Sequence, residues 1–236
     1  MKFLVFQHIA CEHPGIFRSF FAQAGIDWQA VSLDQGEAIP SLEDFDALWV
    51  MGGPMDVWDT DTCPWLVAEK AAIRTWVRER NKPYLGLCLG HQLLADALGG
   101  ECAPMAAPEI GILDVHLTGD SVDPLFSGIS SPLKCLQWHS VAVVSPPEDT
   151  VLLASSPECE WQAMRVGDHA WGLQFHVELQ DSTVSEWSEV PAYAEALERV
   201  KGPGALAEMD EAARVHMPQF EKNARRLFEN FCRFVG

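Results

Sequence analysis

Apolar positions fall in short runs broken by polar turns, and their spacing alternates between strand and helix periods. Lys2–Gln7, with Phe3 to Phe6 apolar in succession, reads as a first strand, and residues 9–15 as a loop. Over 16–24, Phe17, Phe20 and Phe21 share one side of a predicted helix that Gly25 ends. Residues 28–33 and 46–51 supply two further strands, the second running into Gly52-Gly53-Pro54. This β-α-β-β alternation predicts an α/β fold: a three-layer, open, mostly parallel sheet with flanking helices.

A polar loop over 52–64, carrying Asp56, Asp59 and Asp61, precedes a predicted helix over 66–80. Its inner stripe is Leu66, Ile73 and Val77, with Trp76 at the border and Lys70, Arg74, Arg78 and Arg80 outside. Tyr84–Leu87 reads as a buried strand, and Leu89, Leu93, Leu94, Ala97 and Leu98 recur at helical spacing behind it. After Gly99-Gly100 come an alternating strand over 108–118, a helical turn over 123–126 and a strand over 133–137 that leads into 138–141. Short strands over 151–155, 162–166 and 170–175 follow, with 172–178 extended and buried. Beyond Glu178 the composition becomes acidic and helical, over 183–200 and 204–215. A last amphipathic helix over 217–235 bears Phe220, Leu227, Phe228, Phe231 and Phe234. Pro191, Gly202, Pro203 and Pro218 punctuate this stretch. The segment 180–218 is too dependent on its neighbours to stand alone, so 1–236 reads as a single domain with a C-terminal helical extension.

A chain of 236 residues suits one α/β domain with a sizeable core. Its net charge of −18, from 34 acidic against 16 basic residues, argues against nucleic acid and against an anionic membrane surface as partners. No apolar run approaches the ~18 residues a membrane helix needs. The seven cysteines are odd in number and contain no Cys-x-x-Cys pair, so neither a disulfide framework nor a zinc ribbon is expected. Reduced thiols and a cytoplasmic location follow from that reading.

One cysteine has a special setting. Cys88 lies at the join between predicted strand and helix, with Gly86 two residues before it and Gly90 two after. A nucleophile on such a sharp turn is strained, and its neighbours need small side chains. The helix start also favours thiolate there. The alternative is a buried cysteine in an ordinary strand–helix join. Downstream, His176 and Glu178 are two apart on an extended segment and point the same way. A thiol nucleophile needs an imidazole base, and the base gains from a carboxylate that fixes its tautomer.

Gly86-Leu-Cys-Leu-Gly-His-Gln92, Phe175-His-Val-Glu178 and Met51-Gly-Gly-Pro54 resemble the signatures of the class I glutamine amidotransferases. Glu109-Ile-Gly111 adds to the likeness. It is nearest to free-standing members similar to the glutaminase domain of GMP synthetase. The resemblance implies a flavodoxin-like sheet and cleavage of the side-chain amide of glutamine, or of a γ-glutamyl compound, through a γ-glutamyl thioester. It makes Cys88 the nucleophile, His176 the base and Glu178 its orienting acid. The backbone N–H groups of Gly53 and Leu89 form the oxyanion site, and Gly52, Met55, Gln92, His139, Ser140 and Val141 bind substrate. It implies no metal and no cofactor.

At one point the chain departs from the GMP-synthetase type, which has an acid two residues after the histidine where Val141 stands here. The anthranilate-synthase type carries His-Ser followed by an aliphatic residue, as His139-Ser140-Val141 does. With no acid adjacent, His139 is expected to be a pocket wall and not a base. Cys88, His139 and His176 could formally hold zinc, but the elbow glycines would then be unexplained. The expected function is a glutaminase component that supplies ammonia to a separate synthase or ligase, since no Gly-x-x-x-x-Gly-Lys-Ser/Thr motif is present. The alternatives are a self-sufficient hydrolase of γ-glutamyl amides or peptides, and a non-catalytic regulatory module.

Overall fold

A computed structural model describes residues 1–118 and 123–235. In chain order the elements are β1 (Lys2–Gln7), α1 (Phe17–Ala24), β2 (Asp27–Ser32), β3 (Ala47–Val50), α2 (Trp65–Arg74), β4 (Tyr84–Leu87) and α3 (Leu89–Ala97). They continue with β5 (Glu101–Leu117), β6 (Leu133–Ser145), β7 (Thr150–Ser155), β8 (Ala163–Val166), β9 (Ala170–Leu173), α4 (Thr183–Ser188), α5 (Pro191–Lys201) and α6 (Ala205–Cys232). The sheet runs β2-β1-β3-β4-β9-β8-β7-β5-β6. The expected parallel sheet accounts for its first five strands. The remaining pairings are antiparallel, so the sheet is mixed.

Alternation along the parallel strands explains their unbroken apolar runs. Phe3 and Val5 face a core shared with Phe17, Phe20 and Phe21 of α1 and Leu227, Phe228 and Phe231 of α6. Leu4 and Phe6 face the opposite core, built with Leu66 and Ile73 of α2 and Leu93 and Leu94 of α3. A strand covered on both faces has no solvent side to mark with polar residues. The three layers are therefore α1 and α6, the sheet, and α2 and α3.

Several boundaries differ from the sequence reading, each for a physical reason. The predicted helix over 66–80 passes into a π-helical turn at Thr75–Glu79. The strand expected over 108–118 begins at Glu101, because the register with β6 shifts between Pro104 and Glu109 and takes up the prolines. Its partner likewise extends through Ser145. Helix 183–200 divides at Pro191, which starts α5 in its first turn, where its missing N–H costs nothing.

The two helices predicted over 204–215 and 217–235 are one, α6, with Pro218 inside it. An internal proline costs about 3 kcal/mol. Each large apolar side chain fully buried returns roughly 1.5–3 kcal/mol. Met209 and Ala213 before the proline and Phe220, Leu227, Phe228 and Phe231 after it are all buried, so packing overrides the local preference. A third core joins Met209 and Phe220 to Trp187, Tyr193 and Leu197 of the extension and to Ile110, Leu136 and Trp138 of the β5–β6 arm. Among the described residues, no helix is long and apolar enough to cross a membrane.

Candidate active site

Cys88 sits between the last residue of β4 and the first of α3 with φ 50° and ψ −103°, in the left-handed half of backbone space. A non-glycine residue there is strained. The elbow closes only because its flanks lack side chains. A Cβ on Gly86 would meet the Gly90 carbonyl oxygen at 2.3 Å, and one on Gly90 would meet that of Val50 at 2.1 Å. The Cys88 N–H donates to Leu173 O at 2.8 Å, which fixes the elbow against the end of β9.

The segment expected to be a strand through Glu178 leaves the sheet after Leu173. His176 instead forms a single antiparallel bridge to Leu136, its N–H donating to Leu136 O at 2.9 Å. The expected pairing of side chains survives this change. His176 Nδ1 lies 2.7 Å from Glu178 Oε1, and Glu178 Oε2 accepts the Val177 N–H at 2.8 Å. Both side chains are buried. Burial pulls the imidazole down, but Glu178 and then the Cys88 sulfur outweigh it and hold His176 well above its ordinary range. Burial pushes the Cys88 thiol up, against the opposing pull of His176. The help expected from the helix start does not leave this thiol with a lowered pKa.

Cys88 opens onto a cavity of about 150 Å³ whose walls include Gly53, Met55, Leu89, Gln92, His139, Ser140 and Val141. Among the described residues, neither the Gly53 nor the Leu89 N–H has an acceptor. Gly52 lies behind this wall: its carbonyl faces His8, and a Cβ on it would strike Glu12. Gln92 Nε2 donates to Val141 O at 3.1 Å and to Gln174 Oε1 at 3.2 Å, tying α3 to the β5–β6 arm. Gln174 in turn donates its Nε2 toward Cys88 Sγ at 3.6 Å.

His139 does have an acid partner. Its Nε2 stands 3.1 Å from Glu109 Oε2 because the antiparallel register sets Glu109 directly opposite His139. Burial pushes the Glu109 carboxyl up, but contacts from His139, Ser156 and Gln162 outweigh this and hold it below its usual value.

Sequence reasoning also missed Glu12, a buried carboxylate that accepts the Tyr193 hydroxyl proton and is pushed up mainly by burial. The two are separated by 181 positions, and no local pattern joins them. Four residues of α5, Ala192, Tyr193, Ala196 and Arg199, line the cavity. Trp187 of α4 completes the cover over His176.

A family model described as glutamine amidotransferase class-I matches residues 17–186. The chain belongs to that family. Among amidotransferase relatives, it is 33% identical over 153 residues to one of the subunits of the glutamine-hydrolyzing GMP synthase of Sulfolobus acidocaldarius, covering 64% of this chain and 77% of that one. It is 33% identical over 179 residues to the glutamine amidotransferase-like protein YfeJ of Salmonella typhimurium, covering 73% of each. The crystal structure of a glutamine amidotransferase from Thermotoga maritima superposes with a TM-score of 0.87 at 27% identity, covering 100% of this chain and 98% of that one. One from Methylobacillus flagellatus gives 0.87 at 28% identity, covering 100% and 95%. These two amidotransferase neighbours match over the whole chain, α5 and α6 included, whereas the family model ends at residue 186.

Proposed function

We propose that this amidotransferase hydrolyses the side-chain amide of glutamine, or of a γ-glutamyl compound, through a thioester on Cys88. The observation that carries this reading is the strained Cys88 facing a cavity beside the buried His176–Glu178 pair. The thiol proton passes to His176 as sulfur attacks the amide carbon, so the buried sulfur gains its charge only as the ring gains its own. The N–H groups of Gly53 and Leu89 receive the oxyanion. His176 then gives its proton to the nitrogen, the C–N bond breaks, and ammonia or an amine departs. Water attacks the thioester with His176 as base, and the γ-carboxylate leaves with the thiol restored. Glu178 orients the ring and supports its charge throughout. Met55, Gln92, His139, Ser140 and Val141, with Gly52 behind them, shape the glutamyl pocket.

The relative in Sulfolobus is part of a synthase, and by that likeness the ammonia here passes to a separate synthase or ligase. The unpaired thiols suit a reducing, cytoplasmic setting. The α5 wall favours a second reading, a self-sufficient hydrolase whose leaving group is larger than ammonia. Turnover assays on glutamine and on a series of γ-glutamyl amides, with and without a candidate synthase, separate the two. Cys88→Ala is expected to abolish turnover on all of them while keeping the wild-type melting temperature within a few degrees. Full activity in that variant would refute the proposal.

A further inference from the structure

His8 follows β1 and is buried against the loop that carries Gly52 and Gly53. Its Nδ1 lies 2.8 Å from the Gly52 carbonyl oxygen, and its Nε2 lies 2.8 Å from Oε1 of Glu69, a fully buried residue of α2. A carbonyl only accepts, so Nδ1 must carry a proton. Nε2 faces the Glu69 carboxyl, and although burial pulls the ring down, Glu69 and the Gly52 carbonyl raise its pKa above the ordinary value and so favour the doubly protonated cation. Trp65 stacks on it with centroids 5.5 Å apart and planes 17° from parallel, which fixes its orientation. Gly53 rides directly on this histidine, since a Cβ there would come within 2.9 Å of His8 Cβ.

The Gly52 carbonyl and the Gly53 N–H belong to one peptide plane and, in a trans peptide, point in opposite directions. Whatever grips the oxygen therefore aims the N–H. We propose that the His8–Glu69 pair is the positioning device of the oxyanion site, holding the Gly52 carbonyl so that the Gly53 N–H meets the oxygen of the amide that Cys88 attacks. The inference rests on the role given to Gly53 under the proposed function. A cation on the carbonyl oxygen also polarises the peptide and strengthens its N–H as a donor. Stability alone would not call for this arrangement, because a buried ion pair gains little over a well-packed apolar pair.

The charged and titratable groups around the ring are Glu69 from α2 and Glu12 from the loop after β1, and Glu69 also adds to the burial that raises the Tyr84 phenol of β4. Glu69 is not among the main groups that act on His176. Replacing it therefore changes His8 without directly changing the base.

The test compares wild type, Glu69→Gln, His8→Gln and Cys88→Ala on a γ-glutamyl amide from pH 5 to 9, with thermal melts as controls. Glu69→Gln keeps the volume and one hydrogen bond but removes the charge. It is expected to lower kcat about tenfold or more, as a misaimed oxyanion donor does, with KM within about twofold. Its alkaline limb should shift to lower pH relative to wild type, because the partner that keeps His8 charged is gone. Affinity for a γ-glutamyl aldehyde, which forms a tetrahedral adduct on the thiol, should fall by the same factor as kcat. His8→Gln serves if Glu69→Gln does not fold, and should show the same split between kcat and KM. Wild-type kcat, pH profile and aldehyde affinity in the folded variant would overturn the inference while Cys88→Ala stayed inactive. Full turnover in Cys88→Ala would overturn the proposed function and this inference together.

Discussion

Trp187 stands edge-on to the His176 ring, with centroids 4.5 Å apart and planes at 73°. Its indole N–H donates to Cys11 O at 3.2 Å, so the contact is anchored from the loop after β1 as well as from α4. The imidazole is thus held by Glu178 at one nitrogen and by an aromatic edge on its side. Trp187→Leu should remove the second constraint while keeping the site apolar. A lower kcat, by about tenfold, is expected from the looser ring, since a misplacement near 1 Å can cost up to ~10²-fold. Steady-state rates with unchanged labelling of Cys88 would check it.

Glu178→Gln is expected to keep the hydrogen bond but lose the charge that holds His176 high. The ring then titrates at a lower pH and can present the wrong tautomer. A drop in kcat of order 10²–10⁴ follows from comparable triads. Covalent labelling of Cys88 by a γ-glutamyl electrophile should persist, and a wild-type rate would count against the Cys-His-Glu assignment.

Gly90→Ala places a methyl 2.1 Å from Val50 O and 2.8 Å from its carbonyl carbon, which are backbone atoms of the central β3. The backbone must move, and overpacking of this kind costs about 1–3 kcal/mol. For a chain of this size that lowers Tm by several degrees. The elbow should distort with it, so activity is expected to fall further than stability does.

Glu12 gives a prediction of opposite sign. Its folded-state pKa is raised, mainly by burial, so the folded protein binds this proton more tightly than the unfolded chain. Stability on its account is full below the ordinary carboxyl value and is lost as pH rises through the raised one. His8 and His176 are also raised, and their contributions, full below the ordinary imidazole value, are likewise lost at higher pH. Wild-type Tm should therefore decline toward alkaline pH. Glu12→Gln removes one of these three contributions and should gain Tm over wild type at pH 8 but not at pH 4. Melts at the two pH values decide it.

What could be read from the sequence was what lay close together in it. Gly86, Cys88 and Gly90 form a local steric pattern, and His176 and Glu178 are two residues apart, so the elbow and the imidazole–carboxylate pair were visible without coordinates. Glu109 and His139 were not, because only the register of β5 with β6 sets them opposite each other. Glu69 was hidden for a similar reason, being recognisable as a partner of His8 only once α2 lies against β1. The arm and α6 were misjudged where proline argued locally for a break and long-range packing won.

The third core has a practical consequence for anyone dissecting this chain. Most of its buried residues lie on helices beyond the segment the family model matches, and they pack against Ile110, Leu136 and Trp138 of the β5–β6 arm that carries His139. A truncation after residue 186 would not trim an appendage. It would bare Trp138, Ile110 and Leu136 to water, strip one wall from the cavity and leave the ring of His176 uncovered, so the excised fragment should be insoluble.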